Sequence, residues 1–259
     1  MDLGIKGRNA IVCGGSQGLG KGCAIALAKD GVNVTLVART EATLKQAQAE
    51  IQQLSQAKIS FVVADITTDE GRDAALSACP EPDILITNAG GPPPGDFRDW
   101  GQQEWFSALN NNMFSAIEMI RRTVDGMAER GFGRIVNITS ISVKMPMIGL
   151  GLSNGARAGL TGWVAGVARE FVRYNVTINN LLPGLFETDR GEGYLGYRAR
   201  CEGVEAEKYI EQYFADCPAG RLGTTEEFGA ACAFLCSALS GYTSGQNILL
   251  DGGDFRATV

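Results

Sequence analysis

The stretch NAIVCGGSQGLGKGCAIALAKD, residues 9 to 30, decides the fold of this chain. A short run of β-branched and apolar residues leads into a glycine-rich turn, and an apolar helical pattern follows the turn. Gly14 permits a tight turn, Gly18 lets a ligand approach the backbone, and Gly20 lets the helix pack closely on the strand. A helix that begins at such a turn offers free N–H groups and a positive dipole end to an anion. The stretch therefore predicts a strand, an anion-binding loop and a helix.

The same alternation of strand and helix patterns continues outward from this unit. Short runs rich in valine, isoleucine and threonine recur, separated by longer helical patterns. The predicted strands after the first are NVTLVA, ISFVVAD, DILITNAG, GRIVNITS, VTINNLL and NILLD. Such alternation is typical of βαβ units. We predict an α/β fold: a single doubly wound Rossmann domain over residues 1–259, with a seven-stranded parallel sheet and helices on both faces.

Two long helices and two irregular segments complete the predicted architecture. The helices span about residues 102 to 130 and 153 to 174. The irregular segments are GGPPPGDFRDWG, near 90 to 101, and residues 187–217, which contain a shorter helical pattern, EAEKYIEQYF. Both segments follow predicted strands, and open α/β sheets bind their ligands at the carboxyl ends of strands. We interpret residues 187–217 as a mobile lid over the substrate.

Composition favours a small-molecule partner. The 259 residues carry a net charge of −6 and no basic run, which argues against nucleic acid or an anionic membrane. No apolar stretch approaches the ~18 residues of a membrane span, and the first residues lack a secretory pattern, so we expect a cytoplasmic protein. Cys232 and Cys236 lie one helical turn apart, but the chain has no histidine, and we predict buried helix packing rather than a metal site.

The end of the second predicted strand reports on cofactor identity. If the glycine loop holds a dinucleotide, this strand end faces the adenosine ribose, where NAD sites place a carboxylate. Here the strand ends in Ala38, followed by Arg39 and Thr40. A guanidinium binds a phosphate through two hydrogen bonds, whereas Gln17 in the glycine loop adds no second positive charge. The sequence favours NADP(H) over NAD(H); the alternative is that Arg39 is a solvated surface charge.

Further motifs occur in a fixed order along almost the whole chain. After the loop CGGSQGLG come Asp65 and Ile66, then the NAG stretch at residues 88–90, then NITS, which ends in Ser140, and finally LLPGLFET at residues 181–188. In this order they resemble the short-chain dehydrogenase/reductase family, and most of all its β-ketoacyl carrier-protein reductase branch. The resemblance implies a nicotinamide-dependent enzyme that forms homodimers or homotetramers through its two long helices and its C-terminal segment.

The resemblance also assigns site residues in this chain. Ser140 corresponds to the family's catalytic serine and Asn112 to its helix asparagine, while Thr188 and the backbone before it would hold the nicotinamide carboxamide. The residues expected to bind the cofactor are Gly14, Ser16, Gln17, Gly18, Leu19, Gly20, Arg39, Thr40, Asp65, Ile66, Asn88, Ala89, Gly90, Arg157, Pro183, Gly184, Leu185 and Thr188.

The chain departs from the family at SNGARAGL, residues 153–160. The family has a tyrosine and, four residues later, a lysine here, whereas this chain has Ser153 and Arg157. The spacing of four keeps both side chains on one helix face. In the family pattern the lysine holds the nicotinamide ribose and lowers the pKa of the tyrosine, so that the phenol exchanges a proton with the substrate. We expect Arg157 to keep the ribose contacts and Ser153 to leave room for water or substrate.

A serine hydroxyl cannot replace the phenol as an acid. An aliphatic hydroxyl is about as weak an acid as water, and its pKa lies far above that of a phenol, which is ~10. A quinone, a diketone or another conjugated or activated carbonyl needs no strong acid, because its reduced oxyanion is far less basic than a simple alkoxide. We therefore expect an NADP(H)-dependent oxidoreductase for such substrates, in which Arg157 and Ser140 stabilise the oxyanion and water supplies the proton. The candidate catalytic residues are Ser140, Arg157, Ser153 and Asn112.

Three other interpretations stay open on the sequence alone. A conventional carbonyl reductase could take its acid from Tyr194, Tyr197 or Lys144. A lyase or isomerase could use the same pocket without net redox turnover. A catalytically silent member could bind NADP(H) as a sensor or as a subunit of an assembly, because fold resemblance alone does not establish function.

The two irregular segments also supply side chains that suit a flat or apolar substrate, or an anionic one. Their aromatic residues are Phe97, Trp100, Phe186, Tyr194 and Tyr197. Their arginines are Arg98, Arg190, Arg198 and Arg200, although scattered surface arginines are usually solvated.

Overall fold

Seven short apolar runs pair as parallel strands in a computed structural model that describes residues 1–257 of the chain. The strands are β1 (Asn9–Cys13), β2 (Asn33–Ala38), β3 (Ile59–Val63), β4 (Ile84–Thr87), β5 (Gly133–Ile138), β6 (Val176–Pro183) and β7 (Asn247–Leu250). Their order in the sheet is β3-β2-β1-β4-β5-β6-β7, and every neighbouring pair is parallel. The predicted doubly wound sheet is confirmed.

Ten α-helices connect or flank these strands within the described residues. They are α1 (Gly18–Lys29), α2 (Glu41–Leu54), α3 (Asp69–Ala78), α4 (Gln102–Leu109), α5 (Ser115–Arg121), α6 (Val124–Glu129), α7 (Gly151–Phe171), α8 (Asp189–Glu202), α9 (Ala206–Asp216) and α10 (Thr225–Cys236). None of them is long and apolar enough to cross a membrane.

Both faces of the sheet are buried, because successive side chains along a strand point to opposite faces. In β1, Ile11 belongs to one apolar core and its neighbour Val12 to the other. The Val12 core is closed by α1, α2 and α10, and it includes Cys232 and Cys236, which are fully buried as predicted. The Ile11 core is closed mainly by α5 and α7.

The prediction of one continuous helix over residues 102–130 is wrong. Helix α4 runs into a π-helical turn, Asn110–Phe114, before α5 begins. Two asparagine side chains of the turn make hydrogen bonds to other segments of the chain. Nδ2 of Asn110 donates to Thr67 O at 3.2 Å, and Nδ2 of Asn112 donates to Gly90 O at 3.2 Å. Short polar side chains that bond to backbone elsewhere compete with regular helix, and π-helical turns mark functional sites often.

The second predicted helix, about 153 to 174, is found as α7 with boundaries shifted by two or three residues at each end. Residues 187–217 differ more, because they form α8 and α9, of which only α9 was recognised as a helical pattern. Three glycines within α8 hide its pattern, but the side chain of Thr188 caps it by accepting a hydrogen bond from the N–H of Gly191 at 3.1 Å.

The sheet order fixes where a ligand can enter. The chain leaves β1 towards β2 and β3 on one side, and later returns to place β4 on the other side of β1. Loops that leave the carboxyl ends of β1 and β4 therefore diverge, which opens a crevice between them. The loops after β1, β4, β5 and β6 all meet at this edge.

Candidate active site

A cavity of about 1310 Å³ lies at the carboxyl ends of the strands. It is larger than a typical small-ligand pocket, and its size suits a dinucleotide with a substrate beside it. Of the residues predicted to bind a cofactor, all except Gly20 line the cavity. Three predicted catalytic residues, Ser140, Ser153 and Arg157, also line it, whereas Asn112 does not.

The glycine loop after β1 forms one end of the cavity. Gly14 has a φ of +59°, a backbone conformation that other residues rarely adopt. Gly20 lies behind the loop, and a Cβ there would come within 2.2 Å of the carbonyl oxygen of Gly14. Gly20 therefore packs the helix against the loop, as the spacing predicts, which is why it does not face the cavity.

The N-terminus of α1 is one part of the cavity that is suited to an anion. Helices α3, α8 and α10 begin with a threonine whose side chain caps the first turn, and each carries acidic residues in that turn. Helix α1 has neither a capping side chain nor an acidic residue there. Its first N–H groups and its positive dipole end are thus left for a ligand, and a phosphate group would satisfy both.

The ends of β2 and β3 form the part of the cavity that would meet an adenosine. Arg39 is exposed, lines the cavity and pairs with no carboxylate among the described residues. Lys21, which sequence reasoning missed, also lines this region, but it forms an ion pair with Glu50. The carboxylate of Asp65 accepts from both the N–H and the hydroxyl of Thr67. Arg39 is therefore the free cation at this end.

Asn112 supports the site from behind. It is buried, and its Nδ2 holds the carbonyl of Gly90, the last residue of the NAG stretch that lines the cavity. Its Oδ1 has no partner in the described structure, and Asn112 and Arg157 both line a second, small pocket. The π-helical turn places this side chain, so Asn112 positions the loop rather than facing the large cavity.

Ser140 follows β5 and caps a short 3₁₀ turn. Its Oγ accepts a hydrogen bond from the N–H of Ser142 at 3.1 Å. Because the oxygen already accepts, the hydroxyl proton is free to be donated to an atom in the cavity.

Ser153 and Arg157 form a single hydrogen-bonded unit on the first turns of α7. Nε of Arg157 donates to Oγ of Ser153 at 3.1 Å, and Nη1 donates to the carbonyls of Ile138 and Thr139 at 2.8 and 2.9 Å. Nη2 has no partner among the described residues and is not sealed from the cavity. Burial, with a smaller effect of the positive charge of Arg190, lowers the pKa of Arg157 to about 10. The guanidinium is still charged near neutral pH.

Of the three residues considered as a relocated acid, one lines the cavity and two do not. The ammonium of Lys144 lies 5.6 Å from the centre of the Phe255 ring and does not line the cavity. Tyr197 does not line it either, and its ring packs beside Gly149. Tyr194 does line it, but its hydroxyl donates to Ile148 O at 3.3 Å and accepts from Arg198 at 3.4 Å.

The substrate side of the cavity is partly what the sequence predicted. Trp100, Phe186 and Tyr194 line it, whereas the ring of Phe97 is largely exposed. Of the four arginines predicted in the two irregular segments, Arg190 lines the cavity and the other three do not. Arg98 pairs with Asp96, Arg198 pairs with Glu202, and Arg200 is exposed. The apolar residues that sequence reasoning missed are Pro92, Pro93, Met147, Leu150 and Leu152. Pro92, Pro93, Met147 and Leu150 lie in irregular segments without periodicity, whereas Leu152 is the second residue of α7. The available signal for the prolines was their position just after β4.

Comparisons with known proteins agree with this architecture. A family model described as enoyl-(acyl carrier protein) reductase matches residues 14–254. The chain is 32% identical to the acetoacetyl-CoA reductase of Cupriavidus necator over 252 residues, 95% of this chain and 97% of the relative. It is 28% identical to the NADPH-dependent reductase BacG of Bacillus subtilis over 255 residues, 96% of this chain and 98% of the relative. The structure of L-sorbose reductase from Gluconobacter frateurii, complexed with NADPH and L-sorbose, matches with a TM-score of 0.91 at 28% identity and covers 100% of both chains.

Proposed function

This chain belongs to the short-chain dehydrogenase/reductase family of oxidoreductases, and we propose that it is an NADP(H)-dependent reductase of conjugated or activated carbonyl compounds that works without the family's tyrosine. Quinones, diketones and oxoacyl-like compounds are the substrate classes. The observation that carries the proposal is the Arg157 guanidinium, which is fixed on one side by two carbonyls and Ser153 and faces the cavity on the other.

The residues present fit an NADP(H) molecule. The uncapped N-terminus of α1 would receive the pyrophosphate, and Arg39 the 2′-phosphate. Gly90 lines the cavity, and a Cβ at this position would meet no protein atom within 4 Å. The space beside Gly90 is therefore open, and the nicotinamide end of the cofactor would lie there. Thr188 lines the same end. When bound, NADPH supplies a hydride to an electron-poor carbon of the substrate and is oxidised to NADP⁺.

Ser140 and Arg157 stabilise the oxygen that becomes negative during reduction. The free hydroxyl proton of Ser140 and an N–H of Nη2 of Arg157 are donors preorganised by their own hydrogen bonds. The substrate gains hydrogen at carbon, and the electron pair of its C=O π bond, or of the conjugated system, moves to oxygen. Water then supplies one proton to the resulting oxyanion. Neither residue needs to lose its own proton in this scheme.

Simple ketones should be poor substrates for the same reason. Their reduction produces a strongly basic alkoxide, and position 153 offers no phenol to protonate it. General acid catalysis is worth about 10²- to 10⁴-fold, so that much rate is lost for a ketone that depends on it. A conjugated carbonyl avoids the loss because its product oxyanion is stable without a proton.

The lid remains a proposal that the fold supports. No residue of α9 is fully buried, and a helix that buries little surface opens at a lower cost in free energy than a core helix. Helix α8, by contrast, contributes Arg190 and Tyr194 to the cavity wall. We propose that residues 187–217 close over the substrate, with α8 as the inner and α9 as the outer layer.

The test is a fluorescence titration of the protein with NADPH and with NADH, followed by addition of a quinone, a diketone and a β-ketoester. We expect tighter binding of NADPH, and its oxidation by the quinone or the diketone. Binding without oxidation by any compound would favour a sensor or a non-redox enzyme, and product formed without NADPH consumption would identify the latter. Absence of dinucleotide binding would overturn the proposal.

A further inference from the structure

A second guanidinium lies beside Arg157 in the cavity wall. Arg190, the second residue of α8, donates from Nη1 to Gly91 O at 3.4 Å and from Nη2 to Pro92 O at 2.7 Å. A Cβ built on Gly91 would lie 3.0 Å from Nη2 of Arg190 and 3.7 Å from Nη2 of Arg157. Two cations from different helices thus approach one point of the wall.

Neither arginine is neutralised by the protein. No carboxylate of the described chain lies within 4.0 Å of a nitrogen of either guanidinium. Both are held by backbone carbonyls instead, which fix their orientation without removing their charge. The pKa of Arg190 is lowered by desolvation, and the charge of Arg190 contributes to the lowered pKa of Arg157. Arg190 is exposed, so water screens part of the repulsion between the two charges, and an anion placed between them would offset the rest.

The position of Arg190 on its helix is also unfavourable for folding alone. The first turn of a helix is stabilised by acidic residues and disfavours cations, because the dipole is positive there. Asp189 and Glu192 follow this rule in α8, but Arg190, between them, does not. The hydrogen bonds of Arg190 to Gly91 O and Pro92 O offset part of this cost, and a ligand of opposite charge in the cavity would offset more of it.

We propose that the substrate carries a carboxylate next to its reacting conjugated carbonyl, and that Arg157 and Arg190 hold this carboxylate between them. The proposal rests on the proposed function, because the reacting group is the one assigned there. A carboxylate offers two oxygens, each of which accepts a charge-assisted hydrogen bond of about 2.8 Å, so it spans two neighbouring guanidinium groups. The apolar wall of Trp100, Leu150 and Leu152 would take the rest of the molecule. The substrate class is thus an unsaturated 2-oxo acid with an apolar tail.

The test compares benzylidenepyruvate with its methyl ester, which keeps the conjugated carbonyl but removes the charge. We expect kcat/KM for the acid to exceed that for the ester by about 10- to 100-fold, the value of a hydrogen bond to a charged group. Arg190→Gln should lower kcat/KM for the acid by the same factor, leave the ester within about 3-fold, and leave NADPH binding unchanged. Arg190→Lys should restore part of the preference.

Arg200→Gln is the matched control, because Arg200 is an exposed arginine of the same helix that does not line the cavity. Arg200→Gln should change kcat/KM neither for the acid nor for the ester. A calorimetric titration of the NADP⁺ complex with each compound gives a readout that does not depend on turnover. Binding of the acid but not of the ester, without reduction, would keep the carboxylate site and overturn the proposed function. Equal reduction of acid and ester, unaffected by Arg190→Gln, would overturn the carboxylate site and keep the reductase.

Discussion

The cofactor end of the cavity and the first turns of α7 treat their polar groups in opposite ways. At the cofactor end, the N-terminus of α1 has no cap and Arg39 has no ion-pair partner in the described structure. On α7, Ser153, Arg157 and the carbonyls of Ile138 and Thr139 satisfy one another. The first region leaves its donors to a ligand, whereas in the second region Nε and Nη1 of Arg157 are bonded within the protein and Nη2 is left to a ligand. The absence of the tyrosine is therefore accompanied by an ordered arrangement and not by decay of the site.

The largest expected effect comes from a substitution that distorts the glycine loop at the proposed cofactor end of the cavity. Gly20→Ala places a Cβ 2.2 Å from the carbonyl oxygen of Gly14, and backbone must move to relieve it. We expect NADPH affinity, measured by fluorescence titration, to fall by at least about 100-fold, which is roughly 2.7 kcal/mol. The free energy of unfolding should fall by about 1–3 kcal/mol, the usual cost of overpacking.

Gly162→Ala is the control for that variant. Gly162 is exposed on α7, and a Cβ there would meet no atom within 4 Å. Alanine in place of glycine inside a helix should raise the free energy of unfolding by about 1 kcal/mol and leave NADPH affinity unchanged. Equal loss of affinity in both variants would show that the glycine loop is not the cofactor site.

The second prediction rebuilds the family's acid on α7. The double variant Ser153→Tyr with Arg157→Lys should raise kcat/KM for a simple aliphatic ketone by about 10²- to 10⁴-fold, the usual contribution of a general acid. Ser153→Tyr alone should gain less, because Nε of Arg157 loses its acceptor and no lysine lowers the pKa of the new phenol. The measurement is kcat/KM of the unmodified protein and of both variants with one ketone and one quinone. An unmodified protein that already reduces the ketone as fast as the quinone would show that an acid is present elsewhere.

The pH dependence of activity should also differ between the unmodified protein and the double variant. The pKa of Arg157 is lowered to about 10, and its protonated form is the one that stabilises an oxyanion. Activity on a quinone should therefore be present below this pKa and decline as the pH rises towards 10. The double variant should show an additional ionisation at lower pH, from the phenol beside a lysine. A steep decline of the unmodified protein between pH 6 and 8 would point to a different titrating group.

The two regions also differ in how far the sequence predicted them. The residues proposed to bind the cofactor were predicted to lie together because the glycines, the strand-end Arg39 and the NAG stretch act through local spacing, and they line one cavity. The missing tyrosine was equally visible. The contacts of Arg157 with Ile138 O and Thr139 O were not, because they join α7 to β5 across a distance that no local pattern encodes. For the same reason Arg190 was one arginine among several until the fold placed it beside Gly91.

The fourth prediction concerns cofactor choice. Arg39→Gln removes the charge expected to meet the 2′-phosphate, so NADPH affinity should fall by about 10- to 100-fold. NADH affinity should not change, because NADH lacks that phosphate. Arg169→Gln, an exposed arginine of α7 outside the cavity, is the control and should alter neither affinity. Loss of NADH affinity together with NADPH affinity would show that Arg39 supports the fold of the site instead of recognising the phosphate.

The smallest expected effects belong to the residues that could have replaced the missing acid. Lys144→Met should leave turnover unchanged, since its ammonium lies over the Phe255 ring and outside the cavity. Tyr194→Phe removes a hydroxyl that donates to Ile148 O and accepts from Arg198, so it should cost about 1 kcal/mol of folding free energy and lower turnover by less than about 3-fold. If Tyr194→Phe instead slowed turnover by about 100-fold and changed the pH profile, Tyr194 would be the relocated acid. Helix α8 would then supply the proton that α7 does not provide, and the network around Arg157 would serve only to hold the cofactor.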